Sequence, residues 1–186
     1  MTETTLNPTL DRQEEDRMVR AAQTDARAFE ALYLRYVKQV YRYLYSRIGS
    51  QADAEDVTAQ TFLSALEGFG RYRHEGYFGA WLFGIARRKA ADYYRQAGHS
   101  QFLPDDLPAL DPDLLQQAVR SERLRELQAL LLELDDDEQE LLRLRYAAKL
   151  SFGEIARLME RKEDALKKSL YRLLDRLHSR LEDSHD

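Results

Sequence analysis

Residues 29–48 read F-E-A-L-Y-L-R-Y-V-K-Q-V-Y-R-Y-L-Y-S-R-I, and within them Phe29, Leu32, Tyr33, Tyr36, Val40, Leu44 and Ile48 recur at steps of three and four. That spacing is one face of an α-helix. Gly49 then supplies a stop signal. Composition agrees with this reading. The 186 residues are 44% hydrophobic and 33% charged, with only 8 Gly and 4 Pro. A core is attainable, wholesale disorder is not expected, and an all-α fold with few tight turns is favoured.

Working outward, Asp53 is placed to cap a second helix, with Asp56 at the third position of a partial capping box. Its apolar stripe is Thr58, Phe62, Leu66 and Phe69, flanked by Val57 and Ala65. Gly68, Gly70 and Gly76 punctuate G-F-G-R-Y-R-H-E-G-Y-F-G, which reads as a loop, and a third helix spans roughly Phe78 to Gln96. Residues 98–113 hold three of the four prolines and no helical period, so they read as a flexible linker. Beyond it come a leucine-rich helix over Leu114–Leu134 and another from Asp135–Asp137 to about Lys149. Ser151 to Glu154 (S-F-G-E) has the form of a capping box opening a short helix. After a turn past Met159, a last helix at about Glu163–Leu181 aligns Leu166, Leu170, Leu173, Leu177 and Leu181. Upstream, residues 1–22 read as a polar arm with a short helix. The expected organisation is therefore an arm at 1–22, a helical domain at 23–97, the linker at 98–113 and a second helical domain at 114–186.

Several function classes fall away. There is no cysteine, which excludes disulfides and thiolate zinc sites. His74, His99, His178 and His185 lack ligand spacing, so no metal or cofactor is expected. No G-x-G-x-x-G, Walker loop, H-E-x-x-H or G-x-S-x-G is present, and the carboxylates sit at helix starts, where caps and solvation explain them. Catalysis is not expected. The opening M-T-E-T-T-L-N-P-T-L-D-R-Q-E-E-D-R has no apolar stretch and no run approaches 18 apolar residues, so a cytoplasmic chain with no membrane insertion is expected.

Charge points toward nucleic acid. The net charge is −5, yet residues 71–97 carry 6 basic against 2 acidic side chains, and residues 157–180 carry 8 against 4. The acid excess lies between them. Two basic islands of this size suggest two modest DNA contacts, each weak alone. The C-terminal island follows the layout of a helix-turn-helix: a short capped helix, a turn, a longer basic helix. On that longer helix Lys168, Arg172, Arg176 and Arg180 fall four apart, beside Lys167 and Tyr171, on a stripe other than the leucines. The N-terminal island mixes cations with aromatics, namely Arg71, Tyr72, Arg73, His74, Tyr77, Phe78, Trp81, Arg87, Arg88, Lys89, Tyr93, Tyr94 and Arg95. Such a mixture suits stacking on unpaired bases while cations hold the backbone. Trp81, Leu82, Ile85 and Tyr93 also fit a core.

Three of these segments carry a resemblance. D-A-E-D-V-T-A-Q-T-F-L (Asp53–Leu63) looks like region 2.2 of bacterial sigma factors, A-W-L-F-G-I-A-R-R-K-A-A-D-Y-Y-R (Ala80–Arg95) resembles region 2.4, and L-S-F-G-E-I-A-R-L-M (Leu150–Met159) with its basic helix resembles region 4.2. Order and spacing together are similar to the extracytoplasmic-function group of the sigma-70 family. The resemblance implies a transcription initiation factor. Its first domain would dock on the clamp helices of core RNA polymerase through Asp53, Glu55, Asp56, Gln60 and Leu63. The same domain would open the minus-ten element through Arg71, Tyr72, Arg73, His74, Tyr77, Phe78, Arg87, Arg88 and Arg95. The second would sit on the polymerase flap and read the minus-thirty-five element through Lys162, Lys167, Lys168, Tyr171, Arg172 and Arg176. An anti-sigma partner is also implied.

Two positions depart from the family pattern. Ala59 stands where region 2.2 carries Gln, and Gln60, one residue on, is rotated by about 100°. In the helix-turn-helix, Glu160-Arg161-Lys162 replaces a Gly-apolar-Ser turn, which predicts a different turn geometry. Glu163 and Asp164 add negative charge where phosphates would approach. A stand-alone helix-turn-helix regulator and a sigma-like interaction module with impaired DNA binding are the alternative readings.

Overall fold

A computed structural model describes residues 8–73, 77–97 and 125–183. The helices are α1 (Pro8–Thr24), α2 (Phe29–Ile48), α3 (Gln51–Gly68), α4 (Phe78–Ala97), α5 (residues 125–132), α6 (Asp136–Leu142), α7 (Phe152–Leu158) and α8 (Glu163–Asp183). No strand occurs among the described residues, so the all-α expectation holds. The linker at 98–113 and the first part of the leucine-rich helix lie outside the described residues.

The punctuation is chemical. Gly49 closes α2 at φ 80°, its N–H donating to the Tyr45 carbonyl; this left-handed C-cap is the conformation glycine enters at no steric cost. The chain turns at once into α3, and the cap there is Ser50 rather than the expected Asp53: the Ser50 hydroxyl accepts from the Asp53 N–H. In α7 the expected capping box is complete, with Ser151 and Glu154 each satisfying the other's backbone N–H. Asp135 caps α6, which passes into a π-helical turn at Arg143–Ala147.

The N-terminal arm is corrected by the structure. α1 is a 17-residue helix whose Val19 and Ala22 are 1% and 6% exposed. Its apolar positions are too few and too widely spaced among charges for a strong periodic signal, yet they suffice to seat it on α2.

α1 to α4 surround an aromatic-rich core. Phe29 meets Phe69 edge-on at 5.3 Å, and Tyr36 meets Phe78 likewise at 5.5 Å. α5 to α8 form the second unit. Leu173 and Leu177 of α8 pack with Leu130 and Leu134, whereas Leu166 and Leu170, earlier on the same stripe, join one continuous core that also contains Leu82, Phe83 and Ala86 of α4. The two units thus share buried apolar contacts. α7 lies between them, packed on α4 on one side and α8 on the other.

Candidate nucleic-acid interface

The segment resembling region 2.2 lies on α3. Glu55, Asp56, Ala59, Gln60 and Leu63 are all exposed on α3, and Leu63 at 57% is a large apolar side chain facing solvent. Asp53 is half-buried, its Oδ2 accepting from the Tyr93 hydroxyl at 2.9 Å. Ala59 leaves an apolar groove of ≈ 330 Å³ lined by Tyr33, Val37, Lys38, Tyr41, Glu55 and Thr58. Two stripe positions read as core turn outward instead, since Tyr33 is 40% and Leu66 46% exposed.

The loop before α4 separates into two kinds of residue. Arg71 and Arg73 are exposed and Tyr77 is half-buried; His74 lies outside the described residues. Phe78 was expected on the DNA surface, but it is 1% exposed and packs among Tyr36, Phe69, Tyr72 and Trp81. It is a core residue. Tyr72 is half-buried, stacked on Phe69 at 6.0 Å and tilted against Trp81 at 4.8 Å. Both rings looked available in sequence because glycines flank them, whereas the 3₁₀ turn at Phe69–Arg71 folds them back onto the helices. Along α4, Arg87, Arg88 and Arg95 are exposed. Arg95 is engaged by Asp92 one turn earlier.

In the second unit the helix-turn-helix geometry is present despite the altered turn, which overturns the expectation of a different geometry. Glu160 sits at φ 53°, the left-handed conformation that the usual glycine supplies, and the Arg161 N–H donates to the Ala156 carbonyl at 3.0 Å. This six-to-one bond closes a Schellman cap around a glutamate. Arg161, at the position where the family pattern is apolar, is exposed. Its guanidinium reaches outward to Asp137 at 3.6 Å.

The basic stripe of α8 is divided by its partners. Lys168 and Arg172 are exposed, as are Lys162 and Tyr171. Lys167 pairs with Glu163 at 2.6 Å, and this pairing holds its ammonium pKa above the usual lysine range. Arg176 pairs with Glu138 at 2.6 Å, and Arg180 pairs with Glu133. These last two cations tie α8 back to the preceding helices, leaving the first two turns as the accessible face.

One constellation had no sequence signal. Glu140 of α6 is 4% exposed. Its Oε1 accepts from the Tyr43 hydroxyl at 2.8 Å, and its Oε2 from Arg47 Nη1 at 3.1 Å. Arg87 Nε approaches to 3.7 Å. Burial and the neighbouring Glu140 push the Tyr43 phenol far above its ordinary pKa, so it stays a donor. In sequence Glu140 is one acid in D-D-D-E-Q-E, where a cap explains it.

With this geometry in view, comparison with known proteins is informative. Residues 32–100 match the model of sigma-70 region 2, and residues 124–177 that of sigma-70, region 4. Among curated proteins the chain is 38% identical to the ECF RNA polymerase sigma factor BldN of Streptomyces coelicolor over 181 residues, covering 88% of this chain and 64% of that relative's length. It is 31% identical to the ECF RNA polymerase sigma factor SigM of Bacillus subtilis, covering 80% of this chain and 91% of SigM. The solved structure of CnrH in complex with the cytosolic domain of CnrY shares the fold, with a TM-score of 0.63 over 90% of this chain and 97% of CnrH at 24% identity. This chain belongs to the sigma-70 family, among the ECF RNA polymerase sigma factors. No helix among the described residues is long and apolar enough to cross a membrane.

Proposed function

We propose that this protein is a transcription initiation factor that binds core RNA polymerase, directs it to specific promoters and helps melt the minus-ten element. The observation that carries the reading is joint. Both sigma regions are matched in order, each on a helical unit that presents a suitable face. On α3, carboxylates beside an exposed Leu63 suit a basic, partly apolar helical partner such as the polymerase clamp. Asp53, Glu55, Asp56, Gln60 and Leu63 are assigned to it. Arg71, Tyr72, Arg73, His74, Tyr77, Arg87, Arg88 and Arg95 are assigned to the opened strand, with Phe78 now a support beneath them. Lys162, Lys167, Lys168, Tyr171 and Arg172 are assigned to the minus-thirty-five duplex, with Arg176 at its edge.

On this reading the factor is not an enzyme, requires no cofactor, works in the cytoplasm and is restrained by an anti-sigma partner. The retained turn geometry favours a DNA-reading second unit over a purely protein-binding one. Run-off transcription with purified core polymerase and a genomic promoter library tests the proposal. A defined set of start sites absent with core alone is expected; the same transcripts with and without the factor would refute it.

A further inference from the structure

α1 lies ahead of the residues matched to sigma-70 region 2, yet it reaches both ends of the segment that leads into α4. Glu15, Val19 and Gln23 fall four apart and so share one face of the helix. Val19, at 1% exposure, is the apolar seat on that face. The other two are polar groups, and each has a partner far along the chain.

Gln23 Nε2 donates to the Tyr72 carbonyl at 3.2 Å, across 49 positions of sequence. The Tyr72 N–H donates to the Phe69 carbonyl at 3.0 Å, so the backbone of this residue is fixed from both sides. Its ring is held as well, against Phe69 and Trp81. Arg71 and Arg73, the exposed cations on either side, therefore project from an anchored backbone.

Eight positions before Gln23, about 12 Å along the helix at 1.5 Å per residue, Glu15 Oε2 accepts from the Tyr36 hydroxyl. The Tyr36 ring meets Phe78 edge-on at 5.5 Å. Phe78 is the first residue of α4, and Tyr77 comes immediately before it. Burial pushes the Glu15 pKa up, and among the groups that oppose the rise are Tyr36 and the Phe78 N–H, as expected where a carboxylate faces the start of a helix. A carboxylate at 7% exposure is a costly way to seat a helix, since an apolar side chain would be buried without needing partners. What the carboxylate adds is direction: it fixes where Tyr36 stands, and through that ring where Phe78 and the start of α4 stand.

We propose that α1 is the positioning element of the minus-ten surface, with Gln23 and Glu15 holding the two ends of the strand-capturing segment so that Arg71, Arg73 and Tyr77 meet unpaired bases in one arrangement. The inference rests on the functional reading above and adds two positioning residues to it. Neither touches the strand; Gln23 acts through the Tyr72 backbone, and Glu15 through Tyr36 and Phe78.

The test uses the full-length chain with core polymerase, and a fluorescein-labelled single strand carrying the non-template minus-ten sequence of a promoter found by run-off transcription. Gln23→Met keeps the side-chain length and removes the donor. Glu15→Met combined with Tyr36→Phe removes the other tie without leaving either partner buried and unmatched, so the fold should stand. Each is expected to weaken strand binding by the holoenzyme about two- to tenfold, the worth of one hydrogen bond, and to slow promoter opening by a similar factor. Affinity for core polymerase and the melting temperature should stay at the parent's values. Glu14→Gln, an exposed neighbour on the same helix, should behave as the parent in every readout. Unchanged strand affinity in either tie variant, a fall matched by Glu14→Gln, or a fall that tracks a lower melting temperature would overturn the inference and leave the functional reading intact. If the parent holoenzyme itself captures no strand and gives no run-off from any promoter, the functional reading fails and the inference with it.

Discussion

Arg172→Ala and Arg176→Ala, one turn apart on α8, are expected to fail in different ways. Arg172 is exposed, and if α8 enters a major groove its loss removes a base-edge contact worth about 1–3 kcal/mol, roughly five- to 150-fold in discrimination. Arg176 instead donates to Glu138 at 2.6 Å, with side-chain exposures of 52% and 28%. A partly solvated pair of that kind contributes at most about 1 kcal/mol, which in a chain of this size lowers the melting temperature by about 2–4 °C. Competition between promoters differing only in the minus-thirty-five element, read by run-off with polymerase, measures the first effect; scanning fluorimetry of the free chain measures the second. Arg172→Ala should relax base preference and leave melting unchanged, and Arg176→Ala should do the reverse. Equal loss of discrimination in the two variants would refute the division of the stripe by its intramolecular partners.

Other outcomes follow from the same surfaces. Asp56→Arg places a cation on an exposed acidic face and should weaken core-polymerase binding at least tenfold in a pull-down, with circular dichroism unchanged. Tyr77→Ala should cut permanganate reactivity of the open complex, by a stacking loss of about 1–3 kcal/mol per base. Tyr72→Ala should chiefly lower the melting temperature, because its ring packs on Phe69 and Trp81. Glu160→Gly should raise stability: a left-handed L-residue costs about 1–2 kcal/mol, of which about 0.4–1 kcal/mol is returned through the looser unfolded chain, and a fall in melting temperature would argue that the turn is unstrained. Burial raises the pKa of Glu15 above its ordinary value, opposed by its hydrogen bond from Tyr36 and by Arg35 and reinforced by Glu154. Its contribution to stability is therefore full below the ordinary carboxylate range and lost as pH rises through the raised value, so Glu15→Gln should flatten that stretch of the melting curve against pH and gain stability at neutral pH.

The elements legible in sequence were those whose own residues carry the signal. α2 announces itself by its seven-member stripe and Gly49, and α7 by a capping box complete within four residues. α8 announces itself by leucines at the helical period. What escaped depends on partners far along the chain. α1 buries only a few side chains against a helix that sequence cannot place, so it reads as an arm. Tyr72 and Phe78 have the composition of a base-stacking loop, and only the 3₁₀ turn that returns them to Phe69 shows that one is half packed and the other wholly core. Glu140 finds Tyr43 and Arg47 across 97 and 93 positions, a separation over which no local pattern extends. The altered helix-turn-helix turn is the opposite case. Residue type argued against glycine-like geometry, and the backbone adopted it anyway, because the six-to-one bond from Arg161 and the packing of Ile155 and Leu166 on either side fix the chain path.

The partition of charge explains how an acidic protein can act at DNA. With a net charge of −5, and with Lys167, Arg176 and Arg180 each engaged by a carboxylate, the accessible α8 face has few cations to exchange for counterions. Each neutralised phosphate steepens the salt dependence by about one unit, so a face this sparse gives weak binding with a shallow salt dependence by itself. Weak binding suffices when the polymerase holds both units near their elements, since tethering turns the second contact into an intramolecular one at millimolar effective concentration. It is also protective. A factor whose surfaces bound DNA tightly alone would be titrated by the vast excess of non-specific sites, whereas one that is acidic overall, with its cations partly tied back, reaches promoters chiefly in company with the enzyme that uses them.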